Sequence, residues 1–149
     1  MTEADTDTDP ELERGVWELV EEAERNVESL SIEAVAALRE EEEDVTLIDI
    51  RDVRELWIEG TIPGARHAPR GMLEFWADSG TEYYRDYFDP ERRYVLFCNE
   101  AGRSALAARR LQEMGYADVA HMTGGFTAWR EAGREVEAVE QRDYERRHR

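Results

Sequence analysis

Two short runs constrain this chain more than anything else in it. Val45 to Ile50 (VTLIDI) and Arg93 to Cys98 (RYVLFC) are largely apolar on both parities instead of at alternate positions. A strand with one wet face alternates; a run of this kind fits a strand covered on both faces, as in a parallel sheet with helices on either side. Segments with helical spacing lie between and after these runs. Strands alternating with helices argue for an α/β fold with right-handed crossovers.

The remaining elements follow from spacing and breakers. Leu12, Val16, Leu19, Val20 and Ala23 recur at helical intervals, so an amphipathic helix from Glu11 is expected to pack on the domain. Ser31 is placed as the N-cap of a second helix carrying Val35, Ala36 and Leu38. The acidic run Glu40 to Asp44 then reads as a solvated helix end and loop. Asp52 to Ile58 is a short helix stopped by Gly60, and Thr61 to Pro69 is a loop with at most a short strand at Ala65 to His67. Gly71 to Asp89 holds Phe75, Trp76, Tyr83, Tyr84, Tyr87 and Phe88, and reads as one or two short helices in an insertion, with Phe75 and Trp76 packed in the core. Ser104 to Met114 is a helix ended by Gly115, Val119 to Met122 a third short strand, and Gly125 to Ala132 a last helix entered by a tight turn at Gly124-Gly125, with Trp129 in the core. The charged tail from Glu135 is expected to fray, and Met1 to Asp9 to be disordered. The expected division is an acidic start and helix in residues 1–29, one domain in 30–137 and a charged tail in 138–149.

Charge narrows the partners. The 149 residues carry a formal net charge of −17, and all 19 basic residues are arginine. A field this negative argues against nucleic acid and anionic membrane as partners. No apolar run is long enough to span a bilayer. The polar, acidic N-terminus is unlike a signal peptide, so a cytoplasmic protein is expected. A lysine-free, acid-rich composition resembles that of proteins from extremely halophilic microbes, and predicts a domain that loosens at low salt.

The single cysteine, Cys98, cannot form an internal disulfide. It ends a buried strand and leads through Asn99, Glu100, Ala101, Gly102, Arg103 and Ser104 into a helix. Ligands of open parallel sheets sit at such carboxyl ends. Unpaired N–H groups at the helix start, a possible nest of loop N–H groups around Gly102, and the charge of Arg103 all favour thiolate over thiol, so a lowered thiol pKa is expected. A thiolate in a cradle of donors can attack sulfur and stabilise an anionic leaving group. Free cysteine is also often a buried, inert core residue, and local chemistry alone leaves both readings open.

Four ordered motifs extend the case. Cys98-Asn99-Glu100-Ala101-Gly102-Arg103-Ser104 resembles the active-site loop of the rhodanese family of sulfurtransferases. Leu47-Ile48-Asp49-Ile50-Arg51 with Glu55, the stretch Gly60 to Pro69, and Gly124-Gly125-Phe126-Thr127-Ala128-Trp129 resemble three further signatures of that family. The resemblance implies a five-stranded parallel sheet flanked by helices, with an N-terminal helical extension. It implies Cys98 as the sulfur-accepting nucleophile, the backbone of Asn99, Glu100, Ala101, Gly102, Arg103 and Ser104 as the substrate cradle, and Arg103 as the main electrostatic stabiliser. A small sulfur-containing anion such as thiosulfate, or a persulfide, would be the donor, and a thiol or a protein the acceptor. No metal or organic cofactor is implied. A low-activity sulfur-carrier or redox-sensing module is the alternative within the family.

Loop length bears on the chemistry. Four residues separate Cys98 from Arg103, whereas cysteine phosphatases of this architecture carry one more, which disfavours a phosphatase or arsenate reductase. Thr61 stands where the family commonly has His, and Ala101 where it commonly has Gly. Glu100 brings a negative charge that would repel an anionic donor if it faced the pocket, or could pair with Arg103 if it faced outward. Asp49 is expected to bond nearby backbone, Arg51 to pair with Asp52 or Glu55, and His67 and His121 to be structural.

Overall fold

The computed structural model describes residues 11–41 and 44–141. Met1 to Pro10, the arginine-rich end with His148, and two positions of the acidic run after Glu41 lie outside the described residues.

The elements run α1 (Val16–Asn26), β1 (Glu28–Leu30), α2 (Ile32–Glu41), β2 (Val45–Asp49), α3 (Val53–Glu59), β3 (Arg66–His67), a 3-10 turn (Arg70–Met72) leading into the single-turn α4 (Leu73–Trp76), β4 (Arg93–Phe97), α5 (Gly102–Met114), β5 (Asp118–Met122) and α6 (Gly125–Glu131). The five strands form one parallel sheet in the order β1-β5-β4-β2-β3. From β2 the chain leaves toward β3; from β4 it leaves toward β5. The two connections diverge, so the crevice of an open α/β sheet falls outside the carboxyl ends of β2 and β4.

The burial of β4 explains its unbroken apolar sequence. Tyr94, Leu96 and Cys98 join a core with Val20 and Ala23 of α1 and Ala105, Ala108 and Leu111 of α5. Val95 and Phe97 face a second core with Val35 and Ala36 of α2 and Phe126 and Trp129 of α6. Helix α1 thus contributes to the first core instead of lying on its surface.

Local starts and stops follow ordinary chemistry. The Asp52 side chain accepts from Arg54 N at 2.9 Å, and Glu55 reaches back to accept from Asp52 N at 3.0 Å, a capping box that opens α3. Ser31 Oγ accepts from Ala34 N at 3.1 Å, as its N-cap role requires.

One strand goes unannounced by its own residues, and two expectations change. Strand β1 has no apolar alternation to announce it and exists by pairing with β5. The tail does not fray at Glu135: Trp129 Nε1 donates to Glu135 O at 2.8 Å, and Thr61 and Glu137 exchange backbone bonds of 2.9 and 2.8 Å. Phe75 is 49% exposed and is not a core residue, whereas Trp76 is half-buried and packs against the first core. The fully buried side chains of that insertion are Leu73 and Phe88, and the Phe88 ring packs against Tyr94 and Tyr116.

Candidate active site

Cys98 is the first residue beyond β4, and 1% of its surface is exposed. The chain then turns through Asn99, Glu100 and Ala101 into α5. Among the described residues, the backbone N–H groups of Asn99, Glu100 and Ala101 donate to no protein acceptor. Those of Gly102, Arg103 and Ser104 occupy the first turn of a helix, where no intrahelical acceptor exists. Consecutive donors from Asn99 to Ser104 thus follow the thiol, the requirement for holding an anion beside it.

The carbonyl side of the same loop is held from below. Phe126 N donates to Cys98 O at 2.8 Å, and Thr127 N to Asn99 O at 3.0 Å. This approach needs a glycine: Gly125 has φ +61°, and a Cβ there would lie 2.5 Å from Asn99 C and O. The Gly124-Gly125 pair is therefore more than a turn into the last helix; its second member lets α6 clamp the loop.

The side chain of Asn99 is fixed at both ends. Its Oδ1 accepts from Arg51 Nη1 at 3.1 Å, and its Nδ2 donates to Glu55 Oε1 at 2.9 Å. Arg51 does not pair with Asp52 or Glu55 as expected. It is fully buried, and each of its five side-chain N–H donors has a partner: Nε and Nη2 on the Asp49 carboxylate at 3.0 and 2.8 Å, Nη2 also on Gly60 O at 2.7 Å, and Nη1 on Glu59 at 3.0 Å and on Asn99. Asp49 also accepts from Thr61 Oγ1 at 2.7 Å. Asp49 thus anchors Arg51, and through Asn99 the pair positions the loop.

Arg103 lies on Glu55 in a two-pronged pair, Nη1 to Oε2 at 2.9 Å and Nη2 to Oε1 at 3.0 Å. Glu55 thereby accepts four hydrogen bonds, from Arg103 twice, Asn99 and Asp52. The bonds from Arg103 are the main reason its pKa lies below the ordinary carboxylate value, against the opposing pull of partial burial. The Arg103 charge is therefore largely offset by Glu55. Glu100 is exposed and is not the partner of Arg103.

At the far end of the loop, Ser104 Oγ donates to Ala101 O at 3.0 Å and meets His121 Nδ1 at 3.1 Å. His121 is fully buried, its Nε2 is 3.0 Å from Ser29 Oγ, and burial lowers its pKa despite Glu24 nearby. At Gly102 a Cβ would come within 3.5 Å of the Trp17 ring, so α1 brings an aromatic edge to the loop.

Cys98 and the loop lie together, as their adjacency in sequence requires. The sequence does not reveal the part played by Gly125, the seating of Arg103 on Glu55, or the contact with Trp17; only the motif glycines and Glu55 carry any signal.

The Rhodanese-like domain family profile matches residues 31–132. Over 104 residues the chain is 26% identical to the putative sulfur carrier protein YrkF of Bacillus subtilis, covering 70% of this chain and 51% of that protein. The chain thus spans about half the length of this curated relative, and smaller shares of others. Among solved structures it resembles RPA3614 of Rhodopseudomonas palustris, a protein of unknown function described as a possible tyrosine phosphatase. That likeness has a TM-score of 0.82 and 40% identity, and covers 87% of this chain and 99% of the other. It also resembles the polysulfide-sulfur transferase of Wolinella succinogenes, with a TM-score of 0.63 and 34% identity over 82% of this chain and 85% of that one. A match over residues 31–132, together with a thiol at the head of a donor-lined loop on a parallel sheet, makes this chain a member of the rhodanese-like domain family.

Proposed function

We propose that the chain is a sulfurtransferase that carries sulfane sulfur on Cys98. The observation that supports this best is the run of unclaimed backbone donors from Asn99 to Ser104 directly after the thiol. The thiolate attacks the outer sulfur of a donor such as thiosulfate. The donor's S–S bond breaks, and sulfite leaves with the bonding electron pair. Cys98 is left as a persulfide, its terminal sulfur cradled by the loop N–H groups. A thiophilic acceptor then attacks that terminal sulfur and returns the thiolate. With thiol acceptors the product is a new persulfide; with cyanide it is thiocyanate.

The pairing of Arg103 with Glu55 leaves the cradle dependent on backbone dipoles more than on a free cation. This favours a donor of low charge, a persulfide or polysulfide, over thiosulfate. A carrier that delivers sulfur only to a protein partner draws support from the same feature and from the near-complete burial of Cys98. The four-residue spacing from Cys98 to Arg103 argues against phosphate chemistry.

The test is incubation with thiosulfate or polysulfide in high salt, followed by intact mass and by thiocyanate formed with cyanide. A one-sulfur adduct with turnover, both absent in Cys98→Ser, is the expected result. An adduct without turnover identifies the carrier instead, and no adduct from either donor rejects sulfur transfer.

A further inference from the structure

Helix α3 lines two different places. Glu55 and Glu59 face the Cys98 loop and Arg51, while Val53, Leu56 and Trp57 line a separate cleft of ≈ 510 Å³. None of the residues from Cys98 to Ser104 borders this cleft. Its other walls are Arg66 and His67 of β3, Trp76 at the end of α4, Arg85 and Tyr87, and the tail at Val139 and Glu140.

The wall of this cleft is net positive in a net-negative chain. In a chain of net charge −17, Arg51, Arg70, Arg103 and Arg110, among others, lie on carboxylates. Arg66 and Arg85 have no carboxylate partner among the described residues. Each lies instead over an aromatic ring, Arg66 at 4.9 Å from the centre of Tyr87 and Arg85 at 4.2 Å from that of Trp76. Stacking engages the flat face of a guanidinium and leaves its in-plane N–H edges for an anion. Both charges act on the Tyr87 hydroxyl, opposing the rise that burial gives its pKa, so they bear on one place. His67 Nε2 lies 2.7 Å from Arg51 O, which can only accept, so that nitrogen carries the proton. Glu140 is the one carboxylate on the wall, against two guanidinium groups.

Two guanidinium groups set over rings, in a cleft also walled by Trp57, suit a ligand that is flat and negative. We infer that this cleft binds a small planar aromatic anion, an aryl carboxylate or aryl phosphate, with Arg66 and Arg85 holding the anionic group and the aromatic walls holding the ring. The site does not depend on the sulfur chemistry of Cys98.

Four tryptophans make the test local: Trp57 and Trp76 border the cleft, and Trp17 and Trp129 do not. The full chain, labelled with nitrogen-15, is titrated with 2-naphthoate and with 2-naphthyl phosphate at constant ionic strength, in both the native protein and Cys98→Ser. Saturable movement of the Trp57 and Trp76 indole N–H signals is expected with at least one probe, alike in both proteins, with Trp17 and Trp129 unmoved. Arg66 and Arg85 are exposed, so the double variant Arg66→Gln, Arg85→Gln keeps its fold, checked by circular dichroism. Loss of two charge-assisted contacts should weaken binding about tenfold or more, and neutral 2-naphthol should bind correspondingly less well. No saturable shift with either anion, shifts that require Cys98, or equal affinity in the double variant would each overturn the assignment.

Discussion

Arg51 shows how much a single buried side chain can organise. Its guanidinium joins the end of β2, the end of α3 and the Asn99 side chain, and its ring-facing side lies 4.3 Å from the centre of Phe126. Replacing it by Met leaves the Asp49 carboxylate buried without its cation, and one-sided loss of a buried pair costs about 3–5 kcal/mol. We therefore expect Arg51→Met to lose about that much in urea unfolding, and Arg51→Lys to recover little of it, because an ammonium cannot reproduce five planar donors. A loss under about 1 kcal/mol would show that the network does not hold the fold. Glu55 makes a separate prediction. Its folded-state pKa is depressed by Arg103, so its contribution is present above the ordinary glutamate value of 4.5 and is lost as pH falls through the folded-state value. The stability gap between the native chain and Glu55→Gln should accordingly be open at neutral pH and close with acidification below 4.5. A gap that stays constant down to the acid transition would refute the assignment. Neither residue's role was legible in the sequence. Asp49 and Arg51 read as a strand end beside nearby acids, whereas the partners that matter, Glu59 and Asn99, arrive only once α3 and β4 are packed.

At the scale of elements, α6 and the Cys98 loop act as one unit. The loop keeps its N–H groups open because its carbonyls are tied to Phe126 N and Thr127 N. Gly125→Ala puts a methyl 2.5 Å from Asn99 backbone atoms at φ +61°. Backbone strain alone costs about 1–3 kcal/mol, so we expect a lower melting temperature together with a larger proportional loss of sulfur loading on Cys98. Ordinary loading in a folded variant would show that the clamp does not shape the site. The long apolar strands β2 and β4, the helix stops at Gly60 and Gly115, and the loop into α5 were all legible, because each is encoded by neighbours in sequence. Strand β1 was not. Only three residues long and mostly exposed, it carries no pattern of its own and is created by the β5 edge beside it. The tail from Glu135 to Glu137 reads as a charged end, yet Gly60 admits it: a Cβ at Gly60 would lie 2.7 Å from Glu137 O. Such contacts join distant segments through backbone atoms, which composition cannot report.

For the molecule as a whole, the large negative charge acts on stability. The net charge of −17 is spread over 149 residues, so like charges repel more in the compact state than in the expanded one. Local pairs offset part of this, but pairs such as Arg54 with Asp52 and Arg14 with Glu22 are well exposed and contribute little each. Salt acts on the remainder: the screening length falls from about 10 Å at 0.1 M to about 3 Å at 1 M. Added potassium chloride should weaken the favourable exposed pairs as well as the net repulsion, and with acids outnumbering bases 36 to 19 the repulsion dominates. The melting temperature is therefore expected to rise between 0.1 M and 2 M potassium chloride. The same rise should be smaller in a variant with Glu21, Glu33, Glu82 and Glu131, all exposed, changed to Gln. That comparison separates charge screening from general salting-out, which the substitutions would leave intact. A melting temperature flat in salt would remove the salt-adaptation reading, and a rise unchanged by the four substitutions would assign it to salting-out instead of to charge.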